Sequence, residues 1–110
     1  MINIEINRNY IGNVNRFIVD GHSGYDEIGK DIVCANISTA TQSVILGMSE
    51  LLGIRLNIII DDGHLECEIP EISDQLVLEK VNILLETMVL TLRQAEAQYS
   101  EYVKMIEVEE

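Results

Sequence analysis

The chain has no tryptophan, one phenylalanine and four tyrosines in 110 residues, too few rings for the stacking platforms on which single-stranded nucleic acid lies. Cations are equally scarce: 7 Lys and Arg stand against 19 Asp and Glu, a formal charge of −12. Affinity for a phosphate backbone comes largely from cationic contacts that release counterions, so direct nucleic-acid binding is excluded. The same balance suits a basic protein partner or substrate, and equally suits plain solubility. No apolar run approaches the ~20 residues that cross a bilayer. The N-terminus, Met1-Ile2-Asn3-Ile4-Glu5-Ile6, alternates where a secretory leader would carry an apolar core. These absences predict a cytoplasmic protein with no membrane partner. The only two cysteines would then be thiols, which excludes a disulfide framework.

The residues that are present suffice for one compact domain, 1–110, with 47% of the chain hydrophobic. Ile2, Ile4 and Ile6 alternate with polar residues, the period of a strand with one buried face. Gly12-Asn13 marks a turn, and Arg16 to Asp20 reads as a second strand paired with the first. From Asp31 to Leu52 the period lengthens: Val33, Ile37, Ala40, Val44, Met48 and Leu51 trace one apolar helical stripe, with Asp31 as N-cap and Gly53 as the stop. Asp62-Gly63 joins two further strands, Arg55 to Asp61 and Leu65 to Ile69, in a hairpin whose two turn positions both tolerate positive φ. Leu56, Ile58 and Ile60 should share a face with Leu65, Cys67 and Ile69. After Pro70, Ser73 or Asp74 caps a long helix with Val77, Val81, Leu84, Met88, Leu92 and Ala95 facing inward. The tail from Tyr102 to Val108 alternates again and reads as a last strand. The order β-β-α-β-β-α-β predicts an α+β domain, a largely antiparallel sheet packed with two helices.

The chemistry-bearing stretch is Gly21 to Cys34, which sets His22 and Cys34 on either side of a loop punctuated by Gly24 and Gly29. With Asp31 as N-cap, Cys34 falls in the first helical turn, where unpaired N–H groups and the helix dipole favour a thiolate. His22 could take the thiol proton and later return it to a leaving amine, while first-turn N–H groups face the oxyanion. Asp31 has two competing jobs, as helix cap and as orienter of His22; a carboxylate so close would oppose the thiolate, which favours the cap. The glycines give the loop the freedom of a substrate flap, or simply make turns. Taken by spacing alone, Cys34 also reads as a small core residue and His22 as a surface residue. Cys67 alternates with Leu65 and Ile69 and reads as core, and His64 beside the turn as solvated. No CxxC or HxxxH spacing occurs, and His64 and Cys67 would straddle a strand, so neither a metal nor a cofactor is expected.

Gly21-His22-Ser23-Gly24-Tyr25 followed by Gly29-Lys30-Asp31-Ile32-Val33-Cys34-Ala35, with Ser38 beyond, resembles the ribosomal-processing cysteine protease family, Prp. The resemblance implies Cys34 as nucleophile and His22 as its base, with Gly21, Ser23, Asp31 and Ser38 in supporting or substrate-binding positions. It implies an endopeptidase that removes the N-terminal extension of large-subunit ribosomal protein twenty-seven, working as a homodimer. Ser23 stands where the family usually has Ala, and Asn36 where it has a second Ala after the cysteine. Two other readings stay open on sequence: a non-catalytic peptide-binding or ribosome-assembly module of the same fold, and a structural dimer built on the helices' apolar stripes.

Overall fold

The computed structural model describes residues 1–21 and 28–110, with the backbone alone over 28–31. The alternating isoleucines form β1 (Ile2–Arg8), with Ile2, Ile4 and Ile6 all buried. A turn held by Asn9, whose Oδ1 accepts the N–H groups of Ile11 and Asn13, returns the chain as β2 (Val14–Asp20), antiparallel to β1. The first helix, α1 (Ile28–Leu46), leads into a π-helical turn over Gly47–Leu51. The hairpin pairs β3 (Asn57–Asp61) with β4 (His64–Glu68), and α2 (Gln75–Gln98) carries the chain to β5 (Val103–Glu109). The sheet order is β3-β4-β2-β1-β5, antiparallel throughout except that β5 runs parallel to β1.

This is the expected α+β architecture: a sheet with polar residues on one face and two helices over the other. Phe17, Cys67, Val103 and the isoleucines of β1 meet Val33, Ile37, Met48, Val81, Leu85 and Leu92 in one core. α2 packs on β2 and β5, and α1 packs on α2. Asp74 is the α2 cap, its carboxylate accepting from the N–H groups of Leu76 and Val77 at 3.0 and 3.2 Å. Arg8 and Arg93 fasten β1, α2 and β5 from outside: Arg8 pairs with Glu86 at 2.6 Å and Glu107 at 2.7 Å, and Arg93 with Glu96 and Glu107. Thr41, a weak helix former, is fully buried with its hydroxyl donating to the Ile37 carbonyl at 3.0 Å, so the helix carries no unsatisfied polar group there.

Four local expectations are corrected. α1 already includes positions 29 and 31, so Asp31 lies inside the helix instead of capping it, and Gly29 belongs to the helix instead of the loop. Leu51, placed on the inward stripe, is 82% exposed: the π-helical turn inserts extra backbone per turn, which keeps Met48 inside and rotates Leu51 out. Gly53 does end the element, with φ +65°. In the hairpin Gly63 alone uses positive φ, since no non-glycine residue among those described does so. β3 starts at Asn57 and shares the face of Leu65 and Cys67 as expected, but as the edge strand it leaves Ile58, Ile59 and Ile60 exposed.

Contrary to the sequence reading, one segment, Ile32–Leu51, is long and apolar enough to cross a membrane by length and mean hydropathy. Its Val33, Ile37, Val44 and Met48 are engaged in the protein core, as in the central helix of a globular domain.

Candidate active site

β2 ends at Asp20, and the next residue, Gly21, is fastened on two sides. Its N–H donates to the Gly63 carbonyl in the hairpin turn at 2.9 Å, which carries the β2–β4 ladder one step past the strand. Its φ is +99°, and a Cβ built there would lie 2.5 Å from the Met1 carbonyl oxygen. Only glycine meets both conditions. The sequence reading put Gly21 in a supporting or substrate-binding position; its visible work is to let the first residue of the chain and the β3–β4 turn close on the end of β2. Asp62-Gly63 was legible as a turn, but nothing in its sequence placed it against Gly21.

Cys34 sits on α1 within the core cluster, 8% exposed. It lies six residues past Ile28 within α1. At about 1.5 Å rise per residue, its Cα stands about 9 Å along the axis from Ile28, well beyond the first turn. The dipole effect fades within the first turn, and the N–H of Cys34 faces the carbonyl one turn back in its own helix. The first-turn activation and the Cys34 oxyanion donor read from sequence are therefore both overturned: Cys34 lies beyond the first turn of α1, so its N–H is not one of the helix's orphan groups. Ser38 lies one turn further along α1, half-buried, so Cys34 and Ser38 project from neighbouring positions of one helix face. His22 and Ser23 lie outside the described residues, as do the side chain of Asp31 and the glycine at position 24.

Cys34 and Cys67 are both thiols and do not form a disulfide with each other. Cys67 on β4 is fully buried between Phe17 and Ile58, its cross-strand partners, and burial pushes its thiol pKa up to about 12. It is thus neutral across the working range of any such enzyme. Iodoacetamide near neutral pH is expected to leave Cys67 unmodified in the folded protein and to reach it only after denaturation; peptide mass spectrometry reads the difference, and prompt native labelling would contradict the burial.

His64, expected in solvent, is half-buried and bonded: its Nδ1 is 2.9 Å from Asp20 Oδ1, and its Nε2 is 3.6 Å from Glu66 Oε1. The Asp20 hydrogen bond, opposed by desolvation, holds its pKa above the ordinary imidazole value. No group of three or more His, Cys, Asp or Glu among the described residues is placed to hold a metal ion.

Residues 1–104 match the family described as cysteine protease Prp. A relative from Staphylococcus aureus (strain Mu50), named ribosomal processing cysteine protease Prp, is 30% identical over 107 residues, covering 96% of this chain and 97% of its own length. Among solved structures, the essential ribosomal processing protease Prp of S. aureus in complex with a substrate peptide superposes with a TM-score of 0.84 at 28% identity, over 97% of this chain and 99% of that one. The same protein with a covalently linked product peptide gives a TM-score of 0.82 at 29% identity, over 97% of this chain and 99% of that one.

Proposed function

The chain belongs to the Prp family of ribosomal-processing cysteine proteases, and from that premise we propose that it removes the N-terminal extension of large-subunit ribosomal protein twenty-seven with Cys34 as nucleophile and His22 as acid and base. The observation that carries the reading is the whole-chain likeness to a protease solved with a substrate peptide and with a covalently linked product. Cys67 is set aside as nucleophile by its burial and raised pKa. That leaves Cys34 as the thiol for attack.

The helix dipole gives little help to a thiol seven residues into α1, so the proton must go to a neighbouring base. His22 takes it, and the thiolate adds to the scissile carbonyl carbon, whose oxygen becomes an oxyanion. Collapse of that adduct breaks the C–N bond as the imidazolium returns its proton to the leaving amine. Water, deprotonated by His22, then hydrolyses the thioester and restores the thiol. Position 31 lies one turn before Cys34 and Ser38 one turn after it; both are assigned to supporting contacts along this helix, and Gly21 to holding the strand end. The acidic surface suits a basic ribosomal substrate, and the reaction is placed in the cytoplasm. Incubation with a peptide spanning the extension tests the reading: cleavage is expected from wild type and Cys67→Ala, and none from Cys34→Ser or His22→Ala.

The same reading includes a homodimer. Leu76, Ile83 and Leu90 recur every seven residues on the outer side of α2, each 69% exposed, and exposed Leu51 of the π-helical turn lines the same depression as Ile83. An apolar stripe of this kind supports burial against a second copy. Ile83→Glu is expected to shift the protein from dimer to monomer in sedimentation equilibrium while leaving its melting temperature within a few degrees; an unchanged dimer would move the interface elsewhere.

A further inference from the structure

We propose that His64 is a positioning residue for the reaction: its imidazole ties Asp20 of β2 to Glu66 of β4 and so holds the strand end from which the chain runs to His22. The inference rests on the reading of His22 as the base.

Asp20 and His64 are direct cross-strand partners, the last pair of the β2–β4 ladder. Their side chains lie on the sheet face away from the helices, since the flanking Val19 is buried and Asp20 is exposed. His64 Nδ1 is 2.9 Å from Asp20 Oδ1, His64 Nε2 is 3.6 Å from Glu66 Oε1, and Glu66 is itself held by Arg16 at 2.9 Å. The chain of contacts Asp20, His64, Glu66, Arg16 therefore stitches β2 to β4 at the end nearest His22. The backbone adds Gly21 N–H to Gly63 O, on the residue before His64. Two residues after Asp20, the imidazole must meet a thiol within hydrogen-bond reach. A strand end that drifts by an ångström spreads that distance, and misplacement of a base lowers the rate of the chemical step more than it lowers binding.

The electrostatics make the tie sensitive to protonation. Around His64 stand Asp20 from β2, Asp61 from β3, Glu66 on its own strand, and Glu5 and Lys104 from β1 and β5 around the same shallow depression. Only the imidazolium carries a full positive charge with N–H on both ring nitrogens, so it donates to Asp20 and faces Glu66 as an ion-pair partner at 3.6 Å. The Asp20 contact raises its pKa, so the charged form that ties both carboxylates is complete at low pH and is lost as pH rises through that raised value. Without His64, three carboxylates would face each other across the strand ends.

The test is steady-state and single-turnover cleavage of the extension peptide by full-length wild type, Cys34→Ser, His64→Ala, His64→Gln and Asp20→Asn, normalised to folded protein by circular dichroism. His64→Ala is expected to lower kcat about ten- to a hundredfold with KM within about twofold. His64→Gln, which keeps an N–H donor, should recover most of the loss and remove the component of the wild-type pH profile that falls as His64 deprotonates. Asp20→Asn should repeat the His64→Ala loss in kcat in milder form. Full kcat in His64→Ala, or a loss that normalisation to folded protein removes, overturns the positioning role while an inactive Cys34→Ser leaves the dyad standing. Cleavage surviving in Cys34→Ser overturns the dyad, and the positioning role with it.

Discussion

Cleavage of the extension peptide is expected to fall by at least about a thousandfold in Cys34→Ser and in His22→Ala, with the double variant no worse than either alone. Six residues past Ile28 within α1, Cys34 lies beyond the reach of the N-terminal dipole, so no fixed field makes its thiolate. Deprotonation then depends on the imidazole, and a hydroxyl in place of the thiol asks that imidazole for a much harder proton transfer. In the proposed mechanism both residues serve one proton relay, so removing the second after the first should cost nothing further. Single-turnover cleavage followed by mass spectrometry measures all four proteins, and strictly additive losses would mean that the two side chains act in separate steps.

Gly21→Ala is expected to cost about 3–4 kcal/mol of stability and to abolish cleavage at temperatures where wild type is active. Two penalties combine. The φ of +99° strains any side chain, and the new Cβ would lie 2.5 Å from the Met1 carbonyl oxygen, a backbone atom that cannot rotate away. Gly12 separates them, since it has the same φ of +99° with nothing within 4 Å. Gly12→Ala should therefore cost only the backbone strain, about 1–2 kcal/mol. Urea denaturation of both variants gives the comparison. Equal costs would remove the Met1 contact from the account, and the β2 end would then be held by Gly63 and His64 alone.

Much of the fold follows from local periodicity. The isoleucines of β1 declare a strand by alternation, and α2 declares its inner face through Val81, Met88 and Leu92, all buried. What alternation and stripes do not encode is where backbone geometry changes. The π-helical turn at Gly47 turned Leu51 outward although its spacing from Met48 fits a continuous α-helix. That positions 29 and 31 belong to α1 was hidden because Asp31 makes a plausible cap and Gly29 a plausible loop residue. For the proposed dyad, the motif pointed to Cys34 and His22 but carried no sign of what fastens the end of β2. Met1, Gly63 and His64 reach Gly21 and Asp20 only once the sheet order sets β1 and β4 on either side of β2, a juxtaposition that no local pattern contains.

The exposed β3 edge has a colloidal consequence. Ile58, Ile59 and Ile60 run consecutively along an unpaired row of backbone donors and acceptors, the sort of segment that recruits another chain into cross-β stacking. Asp61 and Asp62 stand at its end as gatekeepers, within a molecule of formal charge −12. Mutual repulsion thus protects the edge where geometry does not, and acidification or high salt withdraws that protection from the folded protein without unfolding it.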